Sequence, residues 1–223
     1  MATAEATICN KALIRIGVKN YISDLTTDQT EEADACNVLY ADTRDSLLKQ
    51  FWWPFATREA TLAQLANESR QGWVYCYALP ADCLQAQYIW PTGLNQVLYT
   101  PVQPSQLFGI WTNPRTPRVD QRIPFRIYKQ TNSEDQMLCT DWPTPTLIYT
   151  SETTDVSQFS ALFTDALCWE LARDLAVGLR LDPKWHEFAK KEAEAALKLC
   201  EAEAWKEAQE DVPPDSEIIS ARL

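Results

Sequence analysis

The distribution of proline is the feature that most limits how this chain can fold. Most of its thirteen prolines lie between Pro54 and Pro145, and helical periodicity is lost over the same stretch. Proline lacks a backbone donor and clashes with the preceding helical turn, so long helices are disfavoured there. Apolar residues keep helical spacing towards both ends of the chain. The sequence therefore predicts helical terminal regions around a middle of different character.

Two helices are predicted in the N-terminal region. Residues 4–17 place apolar side chains on one helical face, and Gly17 is expected to end that helix. Asp28 and Glu31 resemble a capping box and predict the start of a second helix, which is expected to continue to Pro54. The predicted buried positions of the two helices are Ile8, Cys9, Ala12, Leu13, Ile16, Cys36, Leu39, Tyr40, Thr43, Leu47 and Phe51.

The middle of the chain favours strands. Short segments rich in aromatic and β-branched residues recur between Gly72 and Ser151. The predicted strands are Trp73–Leu79, Gln85–Trp90, Val97–Tyr99, Phe125–Lys129 and Leu147–Thr150. Residues 100–124 contain five prolines and are expected to form a long loop or an extended arm.

Two further helices are predicted after the strands. Asp155 and Gln158 fit a capping box, and a helical stripe then runs from Phe159 to Gly178. Asp182-Pro183 is typical of an N-cap followed by proline at the first helical position. That last helix should continue to about residue 211. Its predicted buried stripe is made of small side chains, namely Ala189, Ala193, Ala196, Cys200 and Ala204.

These patterns together define an expected fold class. We predict a predominantly helical α+β protein in which residues 1–71 and 152–211 form an antiparallel-type helix bundle. Residues 72–151 would form an inserted β-rich module, and residues 212–223 an extended C-terminal arm, because Pro213-Pro214 ends the last helix. At 223 residues, the chain can bury a substantial core.

Charge and composition exclude several functions. The formal net charge is −11, and no run of Lys or Arg offers the phosphate contacts that sequence-specific nucleic-acid binding needs. The N-terminal residues lack a basic segment followed by an apolar stretch, and no window is apolar enough to span a bilayer. We therefore expect a protein that is made and folded in a cytoplasm and does not bind a membrane.

The residues that usually carry catalysis or bind metals do not form a recognisable pattern. The seven cysteines contain no C-x-x-C pair and match no zinc module. Cys9, Cys36, Cys168 and Cys200 lie among apolar neighbours in helical patterns, which is typical of reduced, buried thiols. His186 is the only histidine. We therefore expect no catalytic residues, no metal and no cofactor.

Surfaces are the better candidates for function. Nine Trp and eight Tyr form a large stock of the side chains that anchor protein interfaces. The predicted subunit or tail interface residues are Trp111, Arg115, Arg118, Arg122, Trp185 and Trp205. The C-terminal arm is short and partly apolar, and it is expected to order on a partner.

Several local strings resemble one protein family. ICNKALIRIGV and EEADACNVLYADTRDSLLKQFWWPFA are similar to the opening of the head-to-tail connecting adaptors of short-tailed bacteriophages. Tyr77, Leu79, Pro80, Asp82 and Leu84 match the family's Tyr-x-Leu-Pro-x-Asp-x-Leu strand and turn. LIYTSETTDVSQFSALFTDALCWELARDLAVGL resembles the following strand and third helix. The resemblance covers nearly the whole chain and is weakest between residues 100 and 140.

The resemblance implies a structural role in a virion. Copies of the protein would form a ring of about twelve subunits between the portal protein and the tail nozzle protein. The ring would extend the channel through which DNA leaves the capsid, without sequence-specific binding to the DNA. The C-terminal segment would bind the portal through Ile218, Ile219, Ser220, Ala221, Arg222 and Leu223.

Three alternatives remain at this stage. The chain could be another virion ring component, such as a head-completion or tail-tube protein. It could be a helical protein-binding module of a cellular complex, which would stay monomeric or dimeric. An enzyme that uses a cysteine and His186 is the third alternative, although no local signature supports it.

Overall fold

The computed structural model describes residues 3–91, 123–131, 133–179 and 181–207. This part of the chain is a mixed α+β protein with four α-helices and two three-stranded antiparallel sheets. The described residues up to Ala56 and from Glu152 onward form one compact unit, which contains the helices. The described residues between Thr57 and Ser151 form a second unit, which contains the strands.

The four helices begin at polar N-caps or at proline. Their bounds are α1 Ala4–Arg15, α2 Glu31–Gln50, α3 Ala161–Gly178 and α4 Pro183–Glu207. The Thr3 hydroxyl accepts a hydrogen bond from Ala6 N at the start of α1. Asp182 Oδ1 accepts from Lys184 N at 2.9 Å before Pro183, as the Asp-Pro pair predicts.

Two of the predicted caps are wrong by a few residues. Thr30, not Asp28, caps α2, because its hydroxyl accepts a hydrogen bond from Ala33 N. Asp155 caps only the short 3₁₀ turn Val156–Gln158, and Ser160 caps α3. In both places several oxygen-bearing residues precede the helix, and any of them can serve as a cap.

The end of α1 follows the predicted glycine signal. Gly17 has a φ of +80°, its N–H donates to the carbonyl of Ile14, and Val18 N–H donates to the carbonyl of Leu13. This pair of bonds is a Schellman motif, which needs a residue that adopts the left-handed conformation without strain. The sequence signal at Gly17 is therefore confirmed.

The helical unit has its core around α3, which packs against α1, α2 and α4. The predicted buried faces are largely confirmed. The stripe of Ala189, Ala193, Ala196, Cys200 and Ala204 on α4 is buried, and small side chains let a neighbouring helix approach closely. Leu39, Phe51 and Phe159 are only half-buried, and Gly178 is exposed. None of the helices in the described residues is long and apolar enough to cross a membrane.

The strand unit consists of two sheets. The strands are β1 Thr57–Thr61, β2 Tyr75–Ala78, β3 Cys83–Pro91, β4 Phe125–Lys129, β5 Gln136–Thr140 and β6 Pro145–Ser151. Their order is β1-β6-β3 in one sheet and β2-β5-β4 in the other. β1 and β5 are not among the strands that the sequence predicts. The predicted strand Val97–Tyr99 and residues 100–122 of the predicted loop or arm at 100–124 lie outside the described residues.

One apolar cluster joins the two sheets. Tyr77 and Leu138 come from β2 and β5, whereas Ile89, Leu147 and Tyr149 come from β3 and β6. The opposite face of the β2-β5 pair carries Cys76, Met137 and Cys139, as strand alternation requires. Cys76 and Cys139 are register partners with a Cα–Cα distance of 4.2 Å and form a disulfide, which the sequence analysis did not predict.

Candidate interaction surface

Trp185 is the predicted interface residue that the structure describes most fully. It lies in the first turn of α4, where its backbone N–H donates to the backbone carbonyl of Asp182 at 2.9 Å. Its side chain passes close to the end of α1, because a Cβ added to Gly17 would lie 3.5 Å from the indole Cζ2. The indole therefore covers the end of α1 while it keeps part of its surface in solvent.

Trp185 belongs to an aromatic cluster, which we define as Arg15, Trp169, Trp185 and Phe188. The Phe188 ring makes edge-to-face contacts with Trp185 and Trp169, with centroid distances of 6.3 Å and 5.8 Å. The Arg15 guanidinium carbon lies 4.3 Å from the centroid of the Trp169 ring. The cluster thus joins α1, α3 and the start of α4 by ring contacts and one cation–π contact.

The guanidinium of Arg15, the charged member of this cluster, is held in place by Asp165. Arg15 Nη1 donates to the backbone carbonyl of Asp165 at 2.9 Å, and Arg15 Nη2 forms an ion pair with the Asp165 carboxylate. With these two contacts to Asp165 and the Trp169 ring against its face, the guanidinium has little remaining freedom of movement. The Arg15 side of the cluster is therefore held in one arrangement.

Exposed apolar residues continue from the cluster along α4. We define the α4 stripe as Trp185, Phe188, Ala195 and Leu199, with Glu192 between the second and third. Trp185, Phe188 and Leu199 are 40%, 45% and 62% exposed, and Ala195 is exposed as well. The steps of three, seven and four residues keep these side chains on one helical face. This face lies roughly 100° around the helix from the buried alanine stripe.

Lysines form a row along one edge of the α4 stripe. Lys184, Lys191 and Lys198 recur every seven residues and are all exposed. Each immediately precedes Trp185, Glu192 or Leu199, so the row keeps the same position beside the stripe over four turns. An apolar seam with charges along its edge is the pattern that selects a helical partner.

A small polar cavity of about 160 Å³ lies between α2 and α3. Arg173 forms an ion pair with Glu170 and donates to Asp174 at 2.9 Å. Burial raises the pKa of Glu170, and the Arg173 charge opposes that effect. The cavity is smaller than typical ligand pockets, and Arg173 in its lining is paired with both Glu170 and Asp174, which is typical of an internal ion-pair network.

The cysteine thiols of the helices are buried, and burial favours the protonated thiol. Cys9, Cys36 and Cys168 are free and buried, as the sequence predicts, and Cys200 is buried as well. Burial raises the pKa of Cys168 to about 11, so this thiol is protonated at neutral pH.

The Nδ1 atom of His186 lies 3.9 Å from the Glu187 carboxylate. Among the described residues, no group of three His, Cys, Asp or Glu side chains could hold a metal ion.

The other predicted interface residues are not described in full. Trp111, Arg115, Arg118 and Arg122 lie outside the described residues, as do Ile218, Ile219, Ser220, Ala221, Arg222 and Leu223. Trp205 belongs to α4, but its side chain is not described. Arg15, Trp169 and Leu199 are not among the interface residues predicted from the sequence. The seven-residue recurrence of Lys184, Lys191 and Lys198 was a signal that could have pointed to the α4 stripe.

The chain matches no protein-family model, and no curated protein is significantly similar to it.

Proposed function

We propose that the protein is a structural component of a virion, a head-to-tail adaptor whose copies form a ring between a portal protein and a tail nozzle protein. The observation that carries the proposal is the α4 stripe. It offers large exposed side chains in a fixed arrangement, which is what an assembly interface needs and an isolated domain does not. The resemblance of the sequence to phage adaptors supplies the particular assembly.

The family motifs lie at structurally informative places. Trp53 and Phe55 from the aromatic turn after α2 pack against Phe163 of α3, and Phe51 packs against Trp53. Asp82, from the turn between β2 and β3, accepts a hydrogen bond from the Tyr149 hydroxyl at 3.0 Å. Both motifs make non-local contacts that fix the fold, which is the role a shared structural motif would have. This supports the resemblance without depending on any catalytic residue.

The finer architecture is part of the proposal. The helices would form an antiparallel bundle with the β-rich module inserted, and residues 212–223 would form the arm that binds the portal. About twelve copies would close the ring. The acidic charge of −11 would let DNA pass through the channel without being held.

The test is assembly of the full chain on a portal ring. Light scattering and negative-stain microscopy would measure its mass and shape with and without portal rings from short-tailed phages. The expected result is a ring that forms on the portal. A chain that stays monomeric at high concentration and ignores every portal tested would instead favour a cellular binding module.

Deletion of residues 212–223 tests the arm. We expect the shortened chain to keep its helical circular dichroism and lose portal binding. The matched control replaces Ile218, Ile219 and Leu223 by serine, which keeps the length of the arm and removes its apolar contacts. Portal binding by both variants would contradict the role of the arm, and loss of the helical fold on deletion would count against a separate arm.

A further inference from the structure

We infer that the α4 stripe of one copy packs against the exposed acidic face of α2 in a second copy, head to tail. The inference rests on the proposed function only in that it assigns the ring contact to named surfaces. The partner of the α4 stripe is a second copy of this chain, because α2 offers the carboxylates and small apolar side chains that match the lysines and bulky apolar side chains of α4.

The α2 acidic face is defined by Glu31, Asp34, Val38, Ala41 and Asp42. All five side chains are exposed, and Val38 is 70% exposed. Their spacing of three, four, three and one residues keeps them on the side of α2 opposite Cys36, Tyr40 and Leu47, which are buried. The face therefore has a small apolar centre with carboxylates at both ends and along its edge.

The two faces are complementary in charge and shape. The α4 stripe has bulky apolar side chains, one half-buried carboxylate at Glu192 and a row of three lysines along its edge, whereas the α2 acidic face has small apolar side chains and carboxylates. Large side chains pack well into the spaces between small ones, and opposite charges beside a helix seam set partner choice. The stripe from Trp185 to Leu199 covers about 21 Å, and Glu31 to Asp42 covers about 17 Å, at 1.5 Å per residue.

Charge also argues against a symmetric antiparallel contact between two copies of α4. In an antiparallel pair of identical helices, the same edge of each seam faces its copy, so Lys184, Lys191 and Lys198 would lie opposite lysines. Like charges in that position are destabilising. A contact between different faces has no such penalty, and it propagates into a closed ring or an open filament.

Cross-linking between two marked forms of the full chain tests the contact directly. One form carries Val38→Cys and the other Ala195→Cys, and both carry Cys83→Ser to remove the half-buried thiol outside the helical core. A short bismaleimide is added to each form alone and to the mixture. We expect the mixture to give about ten-fold more dimer than either form alone. Dimers of the Ala195→Cys form alone would overturn the inference, and so would the absence of any enrichment.

A charge reversal with a matched control tests the lysine row. Lys191→Glu changes a residue beside the stripe, whereas Lys190→Glu makes the same change about 100° away on the same helix. The lysine substitutions are made in the Ala195→Cys form, which is then mixed with the Val38→Cys form. We expect Lys191→Glu to lower the yield of cross-linked dimer several-fold and Lys190→Glu to leave it unchanged. Asp34→Lys or Asp42→Lys in the Val38→Cys form should restore the yield. Equal effects of the two glutamates, or no restoration by either lysine, would overturn the inference.

The outcomes separate this inference from the proposed function. Rings that form on a portal without the Val38–Ala195 cross-link would leave the adaptor role standing and remove the contact proposed here. The cross-link without any portal binding would do the reverse.

Discussion

The indole N–H of Trp53 donates a hydrogen bond to the carbonyl of Leu47 at 2.9 Å. Leu47 lies in the last turn of α2, where carbonyls have no partner within the helix. Trp53 is buried, and its ring packs against Phe51 and Phe163 with centroid distances of 5.2 Å for each. One side chain therefore caps α2 and joins it to α3.

Trp53→Ala should cost about 3–5 kcal/mol of unfolding free energy, because it removes a large buried ring. Trp53→Phe keeps much of the ring volume but leaves the Leu47 carbonyl without its indole donor, so a cost of about 1–3 kcal/mol is expected. Urea unfolding followed by circular dichroism measures both. Trp52→Ala is the neighbouring control, because Trp52 is 44% exposed and should lose less. Equal losses at the two positions would contradict the assignment.

Gly17→Ala should destabilise the protein by about 1–2 kcal/mol, because alanine is strained in the left-handed conformation at φ +80°. Gly178→Ala is the matched control and should have the opposite sign or no effect. Gly178 is the last residue of α3, and an added Cβ would meet only Leu39 at 3.9 Å. Thermal unfolding compares the two variants. A Gly17→Ala variant as stable as the wild type would show that the Schellman turn is not required.

Loss of the Cys76–Cys139 disulfide should destabilise the strand unit. The two cysteines are 63 residues apart, and release of a loop of this size corresponds to about 4 kcal/mol in the chain-entropy treatment. Unfolding of the wild type should therefore respond to a reductant, whereas the Cys76→Ala, Cys139→Ala double variant should not. Cys83→Ser removes a free thiol and should keep the wild-type response. A wild type insensitive to reductant would contradict the prediction.

Glu68 should contribute to stability at neutral pH and lose that contribution in acid. Its carboxylate accepts hydrogen bonds from the backbone N–H and hydroxyl of Thr131, at 3.0 Å and 2.8 Å. These bonds lower the pKa of Glu68 from 4.5. A lowered pKa in the folded state means that stability is present above the unfolded value and lost as the pH falls through the folded one. Unfolding of wild type and Glu68→Gln between pH 3 and 7 should converge at the acid end, and parallel curves would contradict this.

Local sequence signals predicted the helical part of the fold well. The buried face of α1, the small buried stripe of α4, the turn at Gly17 and the Asp182-Pro183 start of α4 were all readable. They depend on periodicity and on backbone preferences within a few residues. The helix starts near Asp28 and Asp155 were misplaced, because several neighbouring residues could serve as the cap.

The strand unit was harder to predict. β1 has mostly exposed side chains, so it carries no apolar alternation, and it is a strand because it pairs with β6 from the far end of the unit. The Cys76–Cys139 pair depends on the register between β2 and β5. Strand pairing of this kind is a long-range choice that short sequence windows do not contain.

The sequence by itself determined where helices can form, which of their faces must be buried and that large aromatic side chains are plentiful. Only the tertiary structure decided that Trp185 and Phe188 lie on the surface beside Trp169 and Arg15, and that Leu199 on the same face is left exposed. Periodicity fixes the direction in which a side chain points from its own helix. Whether another helix covers that direction depends on how α1, α3 and α4 pack together, which is a property of contacts between distant parts of the chain.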